Sequence, residues 1–324
     1  MSEDRQEGSR PTSHTTTEVD SGSRIEAGIE WLERLRARRP IDDETGAPKE
    51  TRVRGWMEKL ILRTATGAAY AVAIVACLYL GVIPTAVLIS AMAWLCCSEY
   101  FRMVRLAGRM PNEILGLAAA VAYPLAALLP FAHQTMVVTS VLLLCCAAWY
   151  VVTPRANIAD VAVTAFGPIY TSLAFSSIVH IRAVDAGFQG FLLSFGVMGS
   201  VWLNDTCAYF VGSRYGKHKL APRISPNKST EGFWGGVAAT IFIWLLVGFL
   251  KVEGVSISLA LVTGVVVAFS SVMGDLFESR IKRGVGVKDS GDILPGHGGL
   301  LDRSDSMLFG GMAAYVLLHI GGIL

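Results

Sequence analysis

Charge is what this sequence has least of. Only 17% of its 324 residues are Asp, Glu, Lys or Arg, against 52% hydrophobic, and its mean hydropathy is +0.49. A water-soluble domain carries roughly 25% charged residues. The shortage is also local. Residues 1–63 hold 12 of the 28 Lys+Arg and 13 of the 26 Asp+Glu, leaving 29 charges for the other 261 positions. That excludes a soluble enzyme of this size and leaves a polytopic membrane protein. No long basic stripe accompanies the net charge of +2, which excludes nucleic acid as a partner. The six cysteines (Cys77, Cys96, Cys97, Cys145, Cys146, Cys207) lie in apolar stretches without CxxC spacing. They read as small membrane-core residues rather than disulfides or metal ligands.

What is present begins with a polar tail. Residues 1–24 are rich in Ser and Thr and carry no apolar core of a secretory signal, so a disordered tail is expected. Residues 25–39 place Ile25, Ile29, Leu32 and Leu35 at helical spacing, predicting a short amphipathic helix and then a linker up to residue 61. Apolar runs of about 20 residues, enough to cross roughly 30 Å of hydrocarbon, follow at 62–80, 82–101, 112–131, 134–153, 158–180, 189–211, 233–250, 256–274 and 305–323. The expectation is an all-α membrane protein of about nine transmembrane helices, with an N-terminal group at 62–200 and a catalytic group at 201–324. Alternate connections carry 14 Lys and Arg, while those between carry only Arg182 and Lys251. The positive-inside rule then puts the N-terminus and the basic connections in the cytoplasm.

Two cytoplasmic segments are too long to be mere connectors. In residues 275–305, Asp275, Ser279 and Lys282 stand at i, i+4 and i+7, and Asp302 and Asp305 at i, i+3, so each set shares a helix face. Carboxylates at a membrane boundary are costly unless paired or metal-bound. Three of them converging from two helix ends suit a hard cation such as Mg²⁺, with room for a second cation. Lys282, Arg283, Lys288 and Arg303 suit phosphate oxygens, and the Gly-rich turn at Gly296–Gly299 with His297 lets backbone approach a ligand. Carboxylates, metal and cations together are the equipment of phosphoryl or nucleotidyl transfer. The other segment, which begins at Asp205, contains Gly212-x-x-x-Gly216-Lys217-His218. It lacks the length, the Ser/Thr and the preceding strand of a P-loop. The run Ser225-Pro226-Asn227-Lys228-Ser229-x-Glu231-Gly232 reads as a rigid turn able to contact a nucleotide.

The stretch SRIKRGVGVKDSGDILPGHGGLLDRSD, residues 279–305, resembles the signature of the CDP-diacylglycerol synthases, or phosphatidate cytidylyltransferases. The matching elements are Ser279, Lys282-Arg283, Lys288-Asp289, Pro295, His297-Gly298-Gly299, Asp302-Arg303 and Asp305. The run from Asp205 through Lys217, Lys219, Ser225-Pro226, Lys228 and Glu231-Gly232 is similar too. Ser304 departs from the family's usual apolar residue or Thr. The resemblance implies that phosphatidate from the inner leaflet attacks the α-phosphorus of CTP, giving CDP-diacylglycerol and pyrophosphate with Mg²⁺ required. It implies Asp275, Asp302 and Asp305 as metal carboxylates, and Ser279, Lys282 and Lys288 at the phosphates. Substrate contacts would come from Asp205, Lys217, Lys219, Ser225, Lys228, Glu231, Arg283, Asp289, His297, Gly298, Gly299 and Arg303. A multi-pass plasma-membrane location follows, and a homodimer is left open. Two other readings stay open at this point: a CTP-dependent kinase of a lipid alcohol, and a transporter using the same acids for ions.

Overall fold

A chain crossing hydrocarbon must satisfy its backbone internally, which restricts it to helices or a closed barrel. The computed structural model describes residues 49–130, 132–293 and 298–324, with side chains from Thr64 onward, and it is built of helices. In chain order these are α1 (Lys49–Leu80), α2 (Val82–Leu106), α3 (Glu113–Ala126), α4 (Gln134–Val152) and α5 (Ile158–Arg182). They are followed by α6 (Phe188–Tyr215), α7 (Thr230–Phe249), α8 (Ile257–Gly284) and α9 (Leu301–Ile320). Residues 62–324 form one compact unit. The polar tail, the amphipathic stripe Ile25–Leu35, Pro295 and His297 lie outside the described residues.

Among the described residues, five helices are long and apolar enough to span a bilayer: α2, α4, α5, α7 and α8. Residues Thr64–Leu80 of α1 and helix α3 are apolar but shorter. Helix α3 stops at Ala126 rather than near residue 131, because the chain tightens into i→i−3 bonds (Leu128 N–H to Leu125 O, Leu129 N–H to Ala126 O, both 3.0 Å) and Pro130 has no N–H to continue it. In α6 and α9, polar residues such as Asn204, Asp205, Asp302 and Asp305 dilute the apolar pattern.

The helix starts follow local chemistry. Asn112, Asn157, Ser229 and Ser256 accept from backbone N–H groups at the starts of α3, α5, α7 and α8, and Asn157 forms a reciprocal capping box with Asp160. Helix α5 contains a π turn at Ile169–Leu173 directly after Pro168, where the proline removes a donor from the ladder. The all-helical expectation fails in one place. Lys219–Ala221 (β1) and Ser225–Ser229 (β2) pair antiparallel, and Ser229 then caps α7. The expected turn at 225–232 is therefore a strand running into a helix. Pro226 is tolerated because a two-stranded ribbon leaves each strand an unpaired edge.

The connections gather at two ends. At one, Arg182, only 1% exposed, donates to Leu78 O (2.7 Å), Asp185 O (2.6 Å) and Ala186 O (3.3 Å), joining the end of α1 to the α5–α6 connection. Gln189 there accepts from Glu253 N–H. At the other, Arg105 pairs with Glu113, Met110 N–H donates to Asp160 and Asn112 N–H to Thr164. The buried core between them includes Phe101, Phe175, Trp244, Met198 and Leu308. Replacing Arg182 with Met removes the donor from the buried Leu78 carbonyl and from two partly exposed ones, and bonds to charged donors contribute about 1.5–3 kcal/mol each. The variant should unfold at a clearly lower temperature in detergent, by several degrees at least; an unchanged melting curve would contradict the assigned role.

Candidate active site

Helix α8 has 28 residues and is about 42 Å long at 1.5 Å per residue, longer than the roughly 30 Å hydrocarbon core. A helix of that length has turns to spare, and its last ones carry Asp275, Ser279 and Lys282. They meet the start of α9, the C-terminal half of α6, the start of α7 and the β ribbon. Together these elements enclose a cavity of about 570 Å³ whose lining includes Asp205, Ser225, Lys228, Asp275, Asp302, Arg303 and Asp305. Asn204 lines it as well, and its buried Oδ1 accepts no hydrogen bond. A second cavity of about 400 Å³ shares Asp205 and Arg303 and is otherwise walled by Thr66, Gly67, Tyr70, Ala71, Trp202 and Thr206 of α1 and α6.

Each acid is held by specific partners. Lys228 Nζ lies 2.5 Å from Asp275 Oδ2, and Ser279 Oγ donates to Asp275 Oδ1 at 3.3 Å. Lys282 Nζ lies 2.5 Å from both Asp302 Oδ1 and Glu278 Oε2. Asp302 Oδ2 also accepts from the N–H groups of Ser290 and Gly299, both at 2.9 Å, and from Ser290 Oγ at 3.0 Å. Burial pushes the Asp302 carboxyl up, but Lys282 and these N–H groups outweigh it and hold it below its usual range. A depressed carboxylate stabilises the fold fully above its unfolded pKa, about 4, and loses that contribution only as pH falls through the lower folded value. Asp305 accepts from Ser306 N–H (2.7 Å), and Asp205 accepts from Ser306 Oγ (3.4 Å).

Other residues expected in the site stand apart from the cavity. Glu231 Oε2 accepts from the N–H groups of Lys217 (3.1 Å) and His218 (3.3 Å), while its Oε1 meets His218 Nδ1 at 2.6 Å. It clamps the base of the β ribbon. Lys217, Lys219, Lys288 and Asp289 are exposed, and Arg283 donates to Val287 O at 3.1 Å, closing its own turn. Gly298 takes φ +84°, and a Cβ there would fall 3.1 Å from Asp302 Oδ2 and 3.6 Å from Asp289 Cβ. Ser304 is buried, with its hydroxyl 3.3 Å from that of Tyr70.

A profile of the cytidylyltransferase family matches residues 61–321. The chain belongs to the cytidylyltransferase family. It is 42% identical over 155 residues to a phosphatidate cytidylyltransferase of Staphylococcus epidermidis strain RP62A, an alignment covering 48% of this chain and 58% of that protein. A phosphatidate cytidylyltransferase of Bacillus subtilis strain 168 is 42% identical over 164 residues, covering 50% and 59%. One of Staphylococcus haemolyticus is 50% identical over 109 residues, covering 34% and 42%. The chain thus spans little more than half the length of the curated relatives it matches.

Two acids at or beside the site are absent from the sequence expectation. Glu278 lies at i+3 from Asp275, on the same α8 face, and is fully buried against Lys282; the spacing already contained it. Glu99 lies within the apolar run of α2, where a lone acid is expensive and signals a function. Lys282 separates Glu278 from Asp302, so Lys282→Met leaves two buried carboxylates with no cation between them. Breaking a buried pair costs about 3–5 kcal/mol. Thermal unfolding in detergent should show a large drop for Lys282→Met, and a stability equal to wild type would refute the bridging role.

Proposed function

We propose that this chain transfers the cytidylyl group of CTP to phosphatidate, yielding CDP-diacylglycerol and pyrophosphate. The observation that carries the proposal is the cavity where α6, α8, α9 and β2 bring carboxylates and cations together at a membrane boundary. Its lining holds four carboxylates (Asp205, Asp275, Asp302, Asp305) and two cations (Lys228, Arg303). That excess of two negative charges, borne by hard oxygen donors, fits a divalent cation such as Mg²⁺. Asp275, Asp302 and Asp305 would hold it, with Asp205 facing them. Among the described residues no three such side chains converge tightly enough to bind an ion; Lys228 is paired with Asp275 and Lys282 with Asp302. A bound Mg²⁺ supplies neutralisation of triphosphate oxygens.

The chain's own residues supply the rest. Lys228 and Lys282 offset the charge that accumulates as two phosphates meet. Ser225 and the unpaired Asn204 oxygen offer polar contacts for the nucleotide inside the larger cavity. Arg303, shared by both cavities, stands where the two substrates would meet. The smaller cavity, walled by Tyr70, Ala71 and Trp202, suits a lipid phosphate arriving sideways from the inner leaflet. The attacking phosphate oxygen is already ionised, so no protein general base is required.

In this reading the basic connections and the larger cavity face the cytoplasm of a plasma membrane, where CTP is available, and Asp185 faces away. A triphosphate cannot be buried in hydrocarbon, which accounts for acids placed at helix ends. Purified protein in lipid nanodiscs, given CTP, phosphatidate and Mg²⁺, should release one pyrophosphate per CDP-lipid; release of CDP instead would defeat the proposal. Asp305→Asn should lower kcat by at least ~10³-fold, as expected when transition-state charge stabilisation is lost, and near-normal turnover would remove Asp305 from the metal site. In a cysteine-free background, an impermeant thiol reagent should label Asp185→Cys but not Ser213→Cys on intact cells; the reverse pattern would invert the topology.

A further inference from the structure

The polar contacts of Glu99 are made with residues far away in the chain. It sits on α2, is 2% exposed and lies outside the cavity lining. Its Oε1 accepts from Leu300 N–H at 3.0 Å, and its Oε2 accepts from Leu301 N–H at 2.8 Å and from Ser290 Oγ at 3.2 Å. Helix α9 has no cap of its own at this point: Leu300 occupies the cap position, and no side-chain cap bond is made from it. The first N–H groups of a helix need acceptors, and a carboxylate there also complements the positive end of the helix dipole. Glu99 provides both from a different helix, some 200 residues earlier in the chain.

Two glycines make this approach possible. A Cβ on Gly291 would fall 2.5 Å from Glu99 Oε1, and one on Gly299 would fall 2.6 Å from Oε2. One turn further along α2, Arg102 pairs with Asp292 at 3.7 Å. Helix α2 thus grips both described flanks of the 290–301 segment. Asp302 and Asp305 follow immediately in the first turns of α9, so the direction of their carboxylates depends on where that helix starts. Ser290 Oγ lies within reach of Glu99 and Asp302 together (3.2 and 3.0 Å), joining the two acids through one hydroxyl.

We infer that Glu99 is a positioning residue for the transfer reaction: it caps α9 across the fold and, with Ser290, fixes where Asp302 and Asp305 point. The inference rests on the cytidylyltransferase function proposed above. The substrate contacts offered by α6 and β2 are unchanged when this anchor weakens, whereas the alignment of the acids is not, and a misplacement of about 1 Å costs roughly 100-fold in rate. The full chain in nanodiscs should therefore show kcat lowered roughly 100-fold in Glu99→Gln, with KM for CTP within about threefold of wild type. Amide exchange in the peptide covering residues 298–306 should quicken at least about tenfold. Ser290→Ala should do the same more weakly. Because the two side chains act through one path, the double variant should be little worse than Glu99→Gln alone. Wild-type kcat, a kcat loss without faster exchange in that peptide, or full additivity would each overturn the inference. If Glu99→Gln fails to accumulate in the membrane, Ser290→Ala alone decides it, and unchanged exchange and kcat there overturn it. Wild-type protein that released no pyrophosphate would defeat the proposed function, while the exchange measurement would still report whether Glu99 anchors α9.

Discussion

Lys282 stands between two carboxylates, 2.5 Å from Glu278 on its own helix and 2.5 Å from Asp302 on the next. Without it two carboxylates would face each other inside the fold, and the penalty for an uncompensated buried charge is several kcal/mol. The pairing therefore decides how the end of α8 meets the start of α9. That meeting in turn sets the floor of the larger cavity, with Asp275 on one side and Asp305 on the other.

From this contact the arrangement extends outward in both directions. Toward the nucleotide side, Lys228 reaches Asp275 from β2, and Ser229 ends that strand by capping α7. The short ribbon thus delivers a cation to the acids while starting the next helix. Toward the N-terminal half, Asp302 and Ser290 lead to Glu99 of α2. A site whose motifs all fall after residue 204 is consequently anchored in helices from both halves of the chain. Integration of this kind explains why residues 62–324 pack as one unit, and it holds the reacting groups on rigid helices rather than on loops.

The two adjoining cavities fit the physical problem that the proposed reaction poses, joining a nucleotide to a lipid. One is rich in acids; the other opens between α1 and α6 beside Tyr70, Ala71 and Trp202. Asp205 and Arg303 belong to both. Under the proposed function, this charged pair of walls common to both compartments would let a water-soluble anion and a membrane-bound anion approach one point without either crossing hydrocarbon.

Much of this was legible from residue order alone, because a bilayer permits so few backbone solutions. Hydropathy located the helices, and 3.6-residue spacing placed Asp275, Ser279 and Lys282, and separately Asp302 and Asp305, on shared faces. Those signals are local, and a helix preserves them in the fold. Spacing could not foresee the β ribbon, since its pairing of Lys219 with Ser229 depends on a turn rather than on an apolar pattern. Nor could it assign Glu231 to a clamp on His218, or separate the cavity-lining Lys228 from the exposed Lys217 and Lys219. Above all, it could not connect Glu99 to Leu300 and Leu301. An acid within an apolar run is costly, a signal the expectation did not use, and the N–H groups that Glu99 accepts from lie about 200 positions away; only the packing of α2 against α9 brings them within hydrogen-bonding distance.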